Sequence, residues 1–413
     1  MTDLRDIYEP SSHPGLSRRR MLQLLLGSAG ATLLAACGSQ ASAPAGSGQA
    51  SAPSASQRAA AAAKSSSSPV SDTTTLFTGK PKLATLEEEL ALPESVLQAA
   101  TKEGKLALIA SWTNNAALQK FFDAFKKRYP GIDIQYQTAE EQVRTVRTLT
   151  EFKAGRAAAD VVDSIAGAIT QFQSAGALLA LNDLPAYSNY DEPLVDESHQ
   201  WASYQVNIWG VAYNTSSVKP ADVPKTWDDL TLPKWKGRIG LANRPQLWAQ
   251  TLWKEWGAER TTDFLKKLFA NNPQRRNEGL DAIISLVGAG EMDLCVPAQT
   301  HRVEGLVQQK VPVGWTVMEP FNVAPGDIEI VKGPNQNAAK VFMNWMLSRE
   351  GSDAFWQAVP VIPAHPLLRS ERKYQGMFAD AFVGKQASVR QQDDESQYLP
   401  AVKKVWEGLW LGA

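Results

Sequence analysis

The sequence predicts an α/β protein built as two lobes, and three observations carry that prediction. Between residues 104 and 164, apolar strand-like runs alternate with segments of helical periodicity. That order argues for a parallel sheet with right-handed crossovers. A second set of strand-like and helical runs occupies residues 239–317, and two strand-like runs, 206–213 and 320–330, are placed to pass between the halves and back.

The elements follow in order. Residues 93–103 read as a helix with Leu97 and Ala100 on one face, closed by Gly104, and residues 106–110 as a strand. After Ser111-Trp112-Thr113-Asn114-Asn115, a helix carries Leu118, Phe121, Phe122 and Phe125 at helical spacing. Pro130-Gly131 ends it, and residues 132–136 form the second strand. A helix over 141–154 is expected to turn Val143, Val146 and Leu149 inward, and a third strand over 159–162 ends in Asp163-Ser164. Residues 166–175 are helical with Gly176 as the stop, 178–181 are a short apolar element, and 183–200 read as loop. In the second half, Thr226 and Asp229 suit the two ends of a capping box, Pro233 and Gly237 punctuate, and residues 239–242 form a strand. Helices at 246–256, 262–269, 278–287 and 302–309 and strands at 292–296 and 313–317 complete it. Helices at 337–347 and 351–355 follow the return, and a charged tail from residue 370 ends in an amphipathic helix at 399–409 that packs back on the body.

Composition narrows the function. A net charge of −1 with 21% charged residues gives no bulk field for nucleic acid or a membrane surface, so no nucleic-acid partner is expected. The two cysteines, Cys37 and Cys295, have no metal-type spacing, and Cys295 lies in an apolar run as a small hydrophobe. No G-x-S-x-G, HExxH, P-loop or Rossmann glycine pattern occurs, and there are only four histidines, which argues against an enzyme. No cofactor is implied. A lipoprotein enzyme and a ligand sensor are the competing classes to a transport carrier.

The N-terminus reads as an export signal. Ser17-Arg18-Arg19-Arg20-Met21-Leu22-Gln23 is a twin-arginine pattern, and the apolar run over 22–36 is short for a membrane span. It ends in Leu34-Ala35-Ala36-Cys37-Gly38, which resembles the lipobox of bacterial lipoproteins and implies that Cys37 takes the lipid. Residues 38–75 collapse to Ala, Ser, Gly and Pro, a composition that buries too little apolar area to offset its ordering entropy. They are expected to form a disordered tether.

Four motifs in the folded part carry a resemblance. They are Thr226-Trp227-Asp228-Asp229-Leu230 leading to Pro233-Lys234-Trp235-Lys236-Gly237-Arg238-Ile239; Gly210-Val211-Ala212-Tyr213-Asn214; Ile328-Glu329-Ile330-Val331-Lys332-Gly333; and Ala338-Ala339-Lys340-Val341-Phe342-Met343-Asn344-Trp345-Met346-Leu347-Ser348-Arg349-Glu350-Gly351. In this order the chain, over roughly 104–368, resembles the type 2 periplasmic solute-binding proteins of ABC importers, the ferric-ion-binding branch in particular. The resemblance implies two α/β lobes joined by two crossing strands, with a ligand cleft between them. The expected divisions are a signal peptide and lipobox over 1–37, the tether over 38–75, the first lobe over 76–206, the second over 207–322, and a return to the first lobe with C-terminal helices over 323–413. The implied partners are a small-molecule solute, the permease subunits of an ABC transporter, and the membrane through the lipid on Cys37. The protein is expected to lie outside the cytoplasm as a monomer.

Ligands of open α/β sheets sit at strand ends beside helix N-termini. That places Ser111, Trp112, Thr113 and Asn114 after the first strand, Asp163 and Ser164 at the third, and Trp209 at the crossing as candidate contacts. Asn243 and Arg244 follow the second-lobe strand, and Arg244, preceding Pro245, is pushed out of helical geometry. Arg275 and Arg276 precede a helix and suit a carboxylate or phosphate. Plainer alternatives stand beside each: Thr113, Asn114 or Asp163 as a cap or turn residue, and the arginines as solvated loop residues. The iron-binding relatives imply a pair of adjacent tyrosines near residue 299, whereas this chain reads Pro297-Ala298-Gln299-Thr300-His301-Arg302. Gln299 and His301 remain candidates facing the cleft, no metal ligand set is expected, and an organic or oxyanionic solute is favoured, with ferric iron as the alternative.

Overall fold

The computed structural model describes residues 81–412, apart from 114, 157, 165, 192, 360, 370, 372–383 and 392. Asn114, Cys37 and the tether expected over 38–75 lie outside the described residues.

The first half begins with α1 (Leu86–Glu89) and α2 (Glu94–Glu103), which stops at Gly104 in the left-handed region (φ 72°). Strand β1 (Lys105–Ala110) leads to α3 (Ala116–Arg128), where the Asn115 side chain accepts the backbone N–H groups of Ala117 and Leu118. Leu118, Phe121, Phe122 and Phe125 bury the face that the periodicity predicts. Strand β2 (Asp133–Thr138), helix α4 (Glu141–Lys153), strand β3 (Val161–Ser164) and helix α5 (Ala166–Ser174) follow. Strands β2 and β3 flank β1 in parallel.

Helix α4 corrects one expectation. Val143 and Val146 are 54% and 60% exposed, while Arg144, Thr145 and Thr148 are buried beside Leu149. The helix packs its polar stripe inward because the end of β3 presents a carboxylate there, and Arg144 meets it.

The long strand β4 (Ala202–Asn214) is the crossing. Farther along come β5 (Ile239–Ala242), α6 (Ala249–Trp256), α7 (Ala258–Ala270), β6 (Gln274–Arg276), α8 (Leu280–Ala289), β7 (Leu294–Gln299), α9 (Thr300–Gln308) and β8 (Val313–Thr316). The return strand is β9 (Phe321–Ile330). Strand β9 pairs antiparallel with β3 and with the first part of β4, while the last part of β4 pairs with β7 and β8. One mixed sheet therefore runs β2-β1-β3-β9-β4-β7-β5-β6, with β4 and β9 shared at its middle.

Two of the motif glycines have a steric reason. A Cβ on Gly210 would lie 2.3 Å from the Thr316 carbonyl oxygen, where β8 crosses β4. One on Gly351 would lie 2.0 Å from the Trp345 carbonyl oxygen, at the tight junction of α10 (Gln336–Leu347) and α11 (Arg349–Ala358). The Thr226 capping box also forms: its hydroxyl accepts the Asp229 N–H while the Asp229 carboxylate accepts the Thr226 N–H, around a 3-10 turn.

The cores are separate. In the first lobe Phe121, Phe125, Phe342 and Trp345 pack with Tyr204 and Phe355. The second lobe holds Trp227, Trp248 and Phe264 in one cluster and Ile283, Val287 and Cys295 in another. Burial pushes the Cys295 thiol up to about 12, so it is an inert hydrophobe. His365, in the turn after β10 (Ile362–Pro363) and before α12 (Pro366–Arg369), is buried and 3.1 Å from the Glu89 carboxylate, which Arg349 also grips. That cluster staples α1 to the first lobe.

The C-terminal part departs from the expected return to the first lobe. Strand β11 (Ala387–Val389) pairs in parallel with β9, and α13 (Asp394–Leu411) then buries Val402 and Trp406 in the second-lobe core. A third passage of the chain therefore accompanies the two crossing strands. The apolar face of α13 is satisfied by the Trp248 and Phe269 rings, which the first lobe does not offer.

Candidate functional site

Between the lobes lies a cleft floored by the crossing strands. Its centre, about 130 Å³, has Gln205, Asn207 and Trp209 from β4 beneath it, and Pro325 and Gly326 from β9. One end opens into a charged chamber of about 370 Å³ beside Arg244, Arg276 and Glu140. The other opens into a chamber of about 320 Å³ with apolar walls, where Trp112, Ile284, Leu306 and Val359 meet Gln299 and His301.

The first-lobe wall is a closed network around Asp163. Its carboxylate accepts the Ser111 backbone N–H at 2.9 Å, the Ser111 hydroxyl at 2.8 Å and the Tyr204 hydroxyl at 3.3 Å. Arg144 Nε lies 3.1 Å from the same carboxylate and donates to the Asp163 carbonyl at 2.6 Å. Burial works against the Arg144 charge, but the Asp163 and Glu141 carboxylates outweigh it and hold the guanidinium above its ordinary value. Tyr204 accepts from Trp112 Nε1 at 2.8 Å, and burial followed by the Asp163 charge pushes its phenol well up. Ser164 also lines the cleft, next to Glu329, whose carboxyl burial raises well above the usual range. Behind it the Asp327 carboxyl, pushed up to about 7 by burial, accepts the Ser203 hydroxyl at 2.6 Å.

The second-lobe wall is looser. Arg244 has φ −140° and ψ 64°, outside the helical region as its place before Pro245 predicts. It reaches across the cleft to Glu140 at 3.7 Å. Asn243 turns the other way: its side-chain oxygen Oδ1 accepts from Trp406 Nε1 at 2.8 Å, so this residue shapes the loop from behind and reaches only the charged chamber. Arg302 pairs with Asp281, and its Nε is buried without a partner. His301 is buried in the apolar chamber, where burial and then the Arg302 charge lower it to about 3, so its ring is neutral at physiological pH.

Of the residues singled out in the sequence, Ser111, Asp163, Ser164, Trp209, Arg244 and Gln299 line the centre. Trp112, Thr113 and His301 line the apolar chamber, and Trp112 does so as part of the first-lobe aromatic core. Arg275 is a correction. The segment expected to be a loop is β6, whose alternation sends Arg276 to the cleft mouth and Arg275 outward over the Phe269 ring at 5.5 Å.

Arg144, Glu140, Gln205, Asn207 and Arg302 escaped the sequence reading. For Gln205, Asn207 and Trp209 the signal existed, since they alternate with Val206 and Ile208 along the crossing strand. An arginine flanked by outward valines gives none.

Fold and cleft together define a ligand-binding protein of the type 2 periplasmic-binding-protein fold. The chain belongs to the family of bacterial extracellular solute-binding proteins, whose model matches residues 109–353. It is 29% identical over 182 residues to an uncharacterized protein of Haemophilus influenzae, which covers 41% of this chain and 51% of that protein. The chain spans about half the length of the curated relatives it matches. Iron-bound HitA from Pseudomonas aeruginosa is similar in structure, with a TM-score of 0.60 and 21% identity over 73% of this chain and 99% of HitA. AfuA from Actinobacillus pleuropneumoniae with fructose-6-phosphate bound is similar too, with a TM-score of 0.60 and 20% identity over 74% of this chain and 97% of AfuA. Likeness at these identities speaks for the fold.

Proposed function

We propose that this protein captures an organic, oxyanionic solute in the inter-lobe cleft and delivers it to an ABC-type importer outside the cytoplasm, tethered to the membrane by a lipid on Cys37. Among the described residues no helix is long and apolar enough to cross a membrane. The observation that carries the ligand class is the pairing of cleft carboxylates with guanidinium groups: Asp163 with Arg144, Asp281 with Arg302, Glu140 with Arg244. Acids paired in this way are not presented as a convergent, vacant donor set for a metal ion. Arginines whose partners are exposed acids stay available to an incoming oxyanion.

Ferric iron is the second reading, favoured by the likeness to iron-bound HitA. A phenolate ligand is a hard donor suited to Fe³⁺, but Tyr204, which lines the centre of the cleft, has its phenol pushed well up and tied to Asp163. Among the described residues no group of three or more His, Cys, Asp or Glu side chains is arranged to hold a metal.

A thermal-shift screen separates the readings. Hexose phosphates or hydroxycarboxylates in about 100-fold excess over Kd should stabilise the protein by roughly 2.7 kcal/mol, a rise of a few degrees in Tm. A shift with ferric salt alone would move the assignment to iron, and no shift with any solute would sink the carrier reading.

A further inference from the structure

The N-terminus of α8 faces the cleft from the second lobe, and its cap is Gly279, which supplies no side-chain hydrogen bond. A ten-residue helix with an open first turn presents backbone N–H groups and a partial positive charge. Glu140, from the first lobe, comes to that place. Its carboxylate lies 3.4 Å from where a Cβ on Gly279 would stand, and 3.7 Å from Arg244. The Glu140 side chain is 74% exposed, and its ion pair is with an arginine of the other lobe.

A second, independent feature points to a ligand in the same cleft. Trp209 is 5% exposed and Asn207 is 7% exposed, both line the centre of the cleft, and Trp209 Nε1 and Asn207 Oδ1 are buried with no hydrogen-bond partner. Leu280, the first residue of α8, packs against the small apolar cluster of Trp209, Leu247 and Ala324. A buried donor and acceptor left open in the wall of the same cleft are costly unless something fills them. Asp281, the acid in the first turn of α8, is already neutralised by Arg302.

We propose that the α8 N-terminus, Arg244 and Trp209 Nε1 form the subsite for the oxyanionic group of the solute, and that Glu140 is an internal stand-in that the solute displaces. The group is a phosphate monoester or a carboxylate on a hydroxylated body, since Asn207 Oδ1, in the wall of the same cleft, lacks a donor. Glu140 in place bridges the lobes without ligand, and its departure couples anion capture to rearrangement of the cleft. This rests on the solute-carrier reading above.

The test is isothermal titration of the full chain with a hexose phosphate, a hydroxycarboxylate, inorganic phosphate and a neutral hexose, for wild type, E140Q and R244A. Removing the stand-in should tighten organic-anion binding by about 2–5-fold, the worth of an exposed ion pair. Losing the Arg244 guanidinium should weaken it by about 10–100-fold. The arm that binds tightest tells phosphate from carboxylate. In the ligand-free state, E140Q should also lengthen a spin-label distance measured across the cleft. Unchanged or weaker anion binding in E140Q overturns the stand-in role while leaving the carrier intact. Binding of the neutral hexose alone overturns the anion subsite, and binding of nothing by wild type and E140Q alike removes the carrier reading with it.

Discussion

The two walls of the cleft use the same device, polar residues at strand ends beside helices, but satisfy it differently. In the first lobe Asp163, Arg144, Ser111, Tyr204 and Trp112 saturate one another in a buried network. In the second, Arg244 and Arg302 hold acids with side chains 74% and 56% exposed. A buried network fixes geometry and a loosely held guanidinium can change partner. The first wall is thus a template, and under the function proposed above the second is the part that would read the solute.

Breaking the template has the largest expected effect. Asp163→Ala leaves the Arg144 guanidinium buried without a counter-charge and strips acceptors from Ser111 and Tyr204, which should cost about 3–5 kcal/mol in urea unfolding. Removing Arg144 as well should cost less than the sum of the two single changes, because the pair is coupled. The matching truncation in the second wall, Arg244→Ala, should cost under about 1 kcal/mol of stability. Equal losses at Asp163 and Arg244 would erase the distinction between the walls.

Behind the template, Asp327 sharpens it through pH. Its folded value of about 7 lies above the ordinary 3.8, so the folded state holds a proton that the unfolded chain has released. Stability from this group is therefore present at low pH and lost as pH rises toward 7. Glu89 works in the opposite sense: burial raises it, but hydrogen bonds from His365 and Arg349 prevail and bring it to about 2, so its contribution falls away only below about pH 4.5. Between pH 5 and 7.5 the wild type should thus lose about 2–3 kcal/mol through Asp327, and Asp327→Asn should remove that share. The slope contributed by Glu329 should remain. Urea midpoints at the two pH values give the answer, and an unaltered slope in the variant would mean that Asp327 is ionised in the fold.

Much of the architecture was legible in the sequence because periodicity and punctuation agree there. The aromatic stripe of α3, the Thr226 capping box and the crossing at β4 each have a local signal. The failures are tertiary. Nothing local says that α4 turns Arg144 rather than Val143 and Val146 inward, since the reason is a carboxylate on another strand. Three residues, Gln274–Arg276, are too few to show strand alternation, so the sequence points Arg275 to the cleft whereas the side chain sits on Phe269. Residues at the strand ends were legible as cleft residues, while their partners were not.

A smaller effect than those of Asp163 and Asp327 is expected at the link from α13 to the second wall. Trp406 Nε1 donates to Asn243 at 2.8 Å, and its ring stands edge-on to Trp248 and Phe269 with centroids 6.0 and 5.3 Å away. Trp406→Phe keeps an aromatic ring in the core but removes the donor, so unfolding should register about 1 kcal/mol. The Asn243 oxygen can then find water, and the Asn243-Arg244 loop loses its brace from behind. Affinity for the solute should drop by a few fold, with no change in the pH slope set by Asp327. If affinity holds while stability falls, the loop is shaped by its backbone bond to Arg276 alone, and α13 contributes only packing. If both fall together, the reading wall owes its geometry to a helix that the chain adds only after its third passage between the lobes.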